Sequence, residues 1–216
     1  MEKISIFLDL DGVIADDLTG IRKLGFTSDP VTRATLLQPG TNSPFKRAMY
    51  EAVKGTTFYA DLPLMPDALR LYNHVYKIDK NPVILTAAPK FGSDEDDFHL
   101  NPYWLGAAYH KRNWVETVLL PKAAYARKDA AHKVLCDLAH SMPERIRIDD
   151  EHFICTTSSR KYQYMHRKKS EFQILIDDRA DNCEAWREAG GIAIQHTDVD
   201  DTIMMIDMHF AEAEAA

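Results

Sequence analysis

Cysteine is scarce in this chain: Cys136, Cys155 and Cys183 are all there is. Their number is odd and no pair has CxxC spacing, so neither a disulfide framework nor a thiolate zinc site organises the chain. They read as small buried apolar residues, in keeping with a reducing compartment. Nine histidines are present, yet none pairs as HExxH or in a comparable arrangement, which removes a histidine-built metal or acid/base centre. Long apolar runs are missing too. The run from Ile4 to Leu8 is too short for the core of a signal peptide and no cleavage pattern accompanies it. The expectation is a soluble cytoplasmic protein with no membrane partner. Basic residues are outnumbered, 26 against 33 acidic, and the formal charge of −7 speaks against a long polyanionic partner and for a small substrate or a metal. Internal repeats and low-complexity tracts are absent, and 216 residues suffice for one cored domain with a small subdomain.

What the chain does have begins with ISIFLDLDGVIAD, Ile4 to Asp16. Four of its first five residues are large and apolar, as in a central strand buried on both faces of a parallel sheet. Asp9 and Asp11 follow two apart, so an extended chain points both to one side at the strand's carboxyl end, where open α/β sheets bind ligands. Gly12 then permits a tight turn. Two carboxylates this close repel unless a cation lies between them, and a hard oxygen-loving ion such as Mg²⁺ would leave one carboxylate able to act as a nucleophile.

Residues 17–59 separate this strand from the next core element, with helical stretches around Leu18–Leu24 and Phe45–Val53 and a connection through Pro30, Pro39 and Gly40. A crossover needs only a dozen or so residues, so the excess predicts a small helical cap beside the site. Pro66 and Asp67 open a further helix, with Leu69, Tyr72 and Tyr76 at helical spacing. Val83–Leu85 predicts a second strand ending in Thr86 and the small pair Ala87 and Ala88. The acidic run Asp94–Asp97 reads as a solvated loop. Helices are expected over Tyr103–Leu120 and Ala123–Ala139. Phe153–Cys155 predicts a third strand, with Ile146 and Ile148 in a preceding extended segment. Phe172–Ile176 predicts a fourth, ending in Asp177 and Asp178, and Ile192–Ile194 a fifth. Asp181 and Glu184 have capping-box spacing for the intervening helix, and Gly190 is placed to end it. Strands alternating with helices predict an α/β fold, a Rossmann-like parallel sheet flanked by helices. The expected boundaries are a discontinuous core of residues 1–16 and 60–210, a cap of 17–59 and a frayed tail of 211–216.

Asp9 with Asp11, Thr86, a basic residue beyond Cys155, and Asp177 with Asp178 all fall at strand ends, which lie along one edge of a parallel sheet. In that order they resemble the four motifs of the haloacid dehalogenase superfamily of phosphohydrolases, over Ile4 to about His196. The resemblance implies that Asp9 is the nucleophile that forms an aspartyl-phosphate and Asp11 the general acid/base. It implies that Thr86 and a lysine bind the phosphoryl group, and that Asp177 and Asp178, with Asp9 and the Asp11 backbone carbonyl, hold Mg²⁺. Lys161 is the favoured lysine because it follows the third strand directly; Lys168 is the alternative.

The segments FYADLPLMPDAL, VILTAAPK, KRNWVETVL and ILIDDRADN resemble the deoxyribonucleotidase branch, the cytosolic 5′-nucleotidases and their bacterial and phage relatives. That likeness implies a nucleoside monophosphate as substrate, bound next to Ala87 under a cap whose Phe45, Tyr50, Phe58 and Tyr59 would stack on the base. The chain departs from the pattern at Asp67, where relatives commonly have glycine, and in the stretch 123–139, which reads as an insertion. A second resemblance, of KRNWVETV and IDDRADNCEAWREAGG, is to the phosphatase domain of phage polynucleotide kinase, and only there would nucleic acid be the partner. A phosphotransferase or a non-catalytic binding protein on the same fold stays open, as does a homodimer.

Overall fold

The computed structural model of the chain describes residues 4–26, 44–128, 143–168 and 170–215. Strand β1 (Ile4–Leu8) is buried at every position. It can be so because it has a strand on each side and helices above and below. It pairs in parallel with β2 (Val83–Ala87) through Phe7 opposite Val83, and with β4 (Phe172–Asp177) from Ile4 opposite Phe172 to Leu8 opposite Ile176. Strands β3 (Phe153–Thr156) and β5 (Ile192–Gln195) complete a five-stranded, all-parallel sheet in the order β3-β2-β1-β4-β5. The order reverses direction at β1, so the crevice beyond the carboxyl end of β1 is the topological switch point where this architecture places a ligand.

Helices α1 (Asp17–Lys23) and α2 (Pro44–Val53) follow β1, and the short turn Phe58–Ala60 leads back towards the sheet. Ile21 and Met49 share a small apolar cluster with Leu18, Phe26, Phe45, Tyr50 and Phe58, separate from the sheet's own core. Helix α3 (Ala68–Ile78), α4 (Pro102–Trp114), α5 (Leu120–Ala126) and α7 (Val199–Ala215) supply the larger apolar layer, whose buried members include Leu71, Trp114, Leu119 and Ile206. On the opposite face α6 (Ala180–Glu188) buries Trp186 4.8 Å from the Phe7 ring. Gly190 has φ 98°, a left-handed residue that ends α6 as its position predicts.

Several expectations are corrected. The helix opened by Pro66 and Asp67 starts at Ala68, and Asp67 sits in the left-handed region at φ 58° without capping the helix through its side chain. That conformation explains why glycine suits this position. The Asp181–Glu184 capping box does not form: Arg179 is the N-cap and its guanidinium pairs with Asp181 at 2.5 Å. The helix over 103–120 is found, but Val115–Leu119 is wound as a π-turn. Pro121 lacks the N–H an α-helix would need there, and the wider turn lets the chain pass it. Ile146 and Ile148 form no strand; their N–H groups bond to Glu116, the first to its carbonyl at 2.8 Å and the second to its carboxylate at 3.3 Å. Helix α7 runs to Ala215, with Ala213 fully buried. The helix expected over Ala123–Ala139 is seen only to Ala126 in α5; positions 129–142 lie outside the described residues, as do Pro30, Pro39, Gly40 and Cys136.

Candidate active site

Gly12 has φ 75°, so the chain turns sharply straight after Asp11 and leaves both motif aspartates at the mouth of the switch-point crevice. Asp9 is buried. One of its oxygens accepts from the Leu10 N–H at 2.7 Å, and the other lies 2.8 Å from the Lys161 ammonium. Lys161 is itself 1% exposed and reaches Asp177 at 2.6 Å, so one buried cation bridges the ends of β1 and β4. The side chain comes from Ser158–Lys168, a run of tight turns that begins where β3 ends.

Asp177 is held by several partners. Besides Lys161 it accepts from the Arg179 N–H at 2.9 Å, and the Asn182 amide spans its two oxygens at 3.0 and 2.9 Å. Asn182 in turn accepts from the Ser158 hydroxyl at 2.7 Å, tying the start of the lysine-bearing segment to α6. Asp9, Asp177 and Asp178 offer carboxylate oxygens within 4.8 Å of one another, all buried. Burial alone would lower the Lys161 pKa, but Asp177 and Asp9 outweigh it and hold the ammonium above its ordinary value. Burial, with Asp9 nearby, pushes Asp177 up against the pull of that same lysine. With two carboxylates in direct contact, the ammonium stays charged.

A second buried lysine serves the other half of the site. Lys111, from α4, donates to Asp11 at 2.5 Å and to the Thr86 hydroxyl at 3.1 Å, and its ammonium lies 4.6 Å from the centre of the Tyr59 ring. Sequence reasoning missed it although KRNWVETVL was singled out. The signal was there: Lys111, Trp114 and Val115 recur at i, i+3 and i+4, so the lysine sits on the buried stripe of its helix. Asn182 and Glu95 were also missed, having no pattern of their own.

The structure brings Asp9, Asp11, Thr86, Lys161, Asp177 and Asp178 to one edge of the sheet. Ala87 is the next residue of β2, half-buried. Lys168 ends the turn segment and its side chain lies outside the described residues. The four aromatics expected to stack on a base are occupied in packing. Phe45 meets the Phe26 ring edge-on, Phe58 meets Tyr59 in the same way, Tyr59 is buried under Lys111, and Tyr50 is half-buried against the Ile21–Met49 cluster. None of them lines the cleft of about 460 Å³ bounded by Gly12, Asp16, Leu18, Met65, Asp178 and His196. Cys155 pairs with Thr86 across the β2–β3 ladder, and burial pushes its thiol up to about 12, so it stays protonated and is no rival nucleophile.

The donor set fits a hard divalent cation. Asp9, Asp11, Asp177 and Asp178 at their formal charges exceed Lys111 and Lys161 by two negative charges, and the clustered donors are all carboxylate oxygens. The molecule is thus a doubly wound α/β protein with an acidic, lysine-braced centre at its switch point. No family model matches the chain, and no curated protein does. Among solved structures it is similar to a putative haloacid dehalogenase-like hydrolase from Burkholderia xenovorans, at 15% identity and a TM-score of 0.41 over 88% of this chain and 81% of that one. A likeness that loose says nothing of this chain's chemistry.

Proposed function

We propose that the protein is a Mg²⁺-dependent phosphomonoesterase of the haloacid dehalogenase type, acting through an aspartyl-phosphate on Asp9, with nucleoside monophosphates as its substrates. The observation that carries this reading is the buried Lys161 bridge between Asp9 and Asp177, with Asp178 beside it. A purely structural ion pair does not need a third buried carboxylate next to it, whereas phosphoryl transfer needs a cation-binding cluster and a fixed positive charge beside a nucleophile.

Asp9, Asp177 and Asp178 would hold the cation, which when bound supplies charge neutralisation for the phosphoryl oxygens. Asp9 attacks phosphorus, its oxygen–phosphorus bond forming as the ester bond to the leaving oxygen breaks. Asp11 gives that oxygen a proton and later takes one from the water that hydrolyses the acyl phosphate. Lys161 and the Thr86 hydroxyl bind the transferring group. Lys111 donates to Asp11 before substrate arrives, and a phosphoryl oxygen is the other acceptor it would take. Turning from one to the other would bind the phosphoryl group and release Asp11 for proton transfer.

A small substrate is favoured over a nucleic-acid end because Arg160 and Lys90, among the described residues beside Lys161, are already paired with carboxylates. Arg160 pairs with Asp96 at 2.5 Å and approaches Glu95 at 3.3 Å, and Lys90 pairs with Glu95 at 2.7 Å. A groove that tracks a phosphate backbone needs such cations unpaired. The test is Mg²⁺-dependent phosphate release from 5′- and 3′-nucleoside monophosphates, sugar phosphates and a 3′-phosphorylated oligonucleotide, with Asp9→Asn as control. Turnover of monophosphates, lost in Asp9→Asn, is the expected result. Turnover of the oligonucleotide alone would move the protein to end repair, and no turnover of any substrate would sink the phosphatase reading.

A further inference from the structure

The acidic run after β2 is not a free solvated loop. Its Glu95 reaches across to the segment after β3 and accepts hydrogen bonds there from the Thr157 and Ser159 hydroxyls, both at 2.6 Å to the same oxygen. The other oxygen takes the Lys90 ammonium at 2.7 Å, from the beginning of the same loop. Arg160 closes the arrangement with its contacts to Asp96 and Glu95 and lies 5.5 Å from the Phe98 ring centre. Ser158, between the two hydroxyl donors, is tied in the other direction to Asn182. Of four consecutive residues, Thr157, Ser159 and Arg160 therefore bond to the loop after β2 and Ser158 to α6, and the fifth is Lys161.

That pattern has a mechanical meaning. Lys161 stands on tight, irregular turns, which by themselves hold a side chain less precisely than a helix or strand does. Its ammonium has to sit within hydrogen-bond reach of two carboxylates on two different strands. The loop that carries Glu95 is firm enough to act as the fixed end. It begins directly after Ala87, its Ala88 N–H bonds to the Thr156 carbonyl at 3.0 Å, and Asn101 pins its interior by donating to Ser93 at 2.6 Å and to the Lys90 carbonyl at 3.3 Å.

We propose that Glu95 is a positioning residue for Lys161: its carboxylate braces the Thr157–Arg160 turn so that the ammonium lies between Asp9 and Asp177. Its effect on turnover rests on the phosphatase reading, while the bracing itself does not. The burial of the carboxylate opposes ionisation, but Lys90, Ser159 and Thr157 bring the pKa down to about 2, so the brace is charged throughout the range in which enzymes are assayed.

The test uses the full chain, with Glu95→Ala, the gentler Glu95→Gln, Lys161→Ala and the double variant Glu95→Ala/Lys161→Ala. Amide hydrogen exchange over 157–161 reads the brace without any activity. Exchange there should quicken by about tenfold in Glu95→Ala while the β4 amides keep their wild-type protection, which also certifies folding. Hydrolysis of p-nitrophenyl phosphate reads the consequence. Glu95→Ala should lower kcat by about 10- to 100-fold with KM little changed, as expected for a misplaced group. Glu95→Gln, which keeps an acceptor for both hydroxyls, should recover most of it. Glu95→Ala should add nothing once Lys161 is gone, because it acts through that residue. Unchanged exchange in Glu95→Ala would overturn the proposal, and so would an equal loss of kcat on top of Lys161→Ala. An inactive wild type, with exchange still quickened in Glu95→Ala, would dispose of the phosphatase reading and leave the brace standing.

Discussion

At the scale of single residues the site is held together by its two buried lysines, and removing either has a different signature. Lys161→Met leaves Asp9 and Asp177 facing each other in the interior without the cation that bridges them. Breaking a buried pair in this way costs about 3–5 kcal/mol. Chemical denaturation should record that loss in metal-free buffer, and added Mg²⁺ should restore part of it by replacing the missing positive charge. The folded-state pKa of Lys161 is raised above its ordinary 10.5, so its contribution is complete below that value and is lost only as the pH rises through the folded value. Denaturation midpoints measured from pH 7 to 10 should therefore reveal no loss attributable to this lysine. Lys111→Met leaves Asp9 and Asp177 paired and should lower kcat by about 10²–10⁴-fold, the range for a disturbed general acid/base, with a smaller change in stability. A Lys111→Met variant with wild-type turnover would remove this lysine from the chemistry. Of the site, the residues that were legible in the sequence are those attached to strand ends: Asp9, Asp11, Thr86, Lys161, Asp177 and Asp178. Lys111 was hidden because it arrives from a helix far along the chain, and a lysine is ordinarily assigned to solvent.

Elements carry the departures from simple pattern reading. Strand positions and the parallel sheet followed from apolar runs bounded by acidic or small residues, since a parallel strand buried on both faces has little alternative composition. What the pattern could not supply was the conformation at joints, where one residue's φ or one missing N–H decides. Asp67 is such a joint. It holds a left-handed conformation at the head of α3, so Asp67→Ala should be about 1 kcal/mol less stable than Asp67→Gly in equilibrium unfolding, and equal values would argue against strain there. Glu116 is another, on the π-turn, where its buried carboxylate gathers Arg145 at 2.5 Å, Arg147 at 3.4 Å and Arg112 at 3.5 Å. Burial opposes its ionisation, yet Arg145 and the Ile148 N–H win and depress the pKa. A depressed carboxylate stabilises the fold above its unfolded value, near 4.5, and that contribution fades as the pH falls through the folded one. Glu116→Gln should cost about 1–3 kcal/mol at pH 7, the range for hydrogen bonds to charged groups. The same substitution should cost progressively less below pH 4. A pH-independent cost would mean the charge plays no part.

For the whole molecule the central question is whether the acidic edge of the sheet is completed by a cation. The net charge of −7 spread over the chain gives weak, screened attraction for any cation, so a specific site must be distinguished from a general ionic effect. The geometry makes the distinction available. Asp9, Asp177 and Asp178 are buried together, their carboxylate oxygens within 4.8 Å of one another, and none of the three depends on the solvated surface. A cation that binds only the folded state stabilises it by mass action, by about 2.7 kcal/mol at a hundred times its Kd. For a chain of this length that corresponds to roughly 5–10 °C in Tm. Thermal unfolding with Mg²⁺ raised from zero, against EDTA and against NaCl of equal ionic strength, should give a saturable rise that salt does not reproduce. Asp178→Asn removes one of the clustered carboxylates and leaves the Lys161 bridge intact, so it should fold and lose the rise. If wild type gains nothing from millimolar Mg²⁺, or Asp178→Asn gains as much, the acidic cluster is only the counter-charge of two lysines. The phosphoryl-transfer reading would then lose the feature that separates this edge from an ordinary buried ion pair.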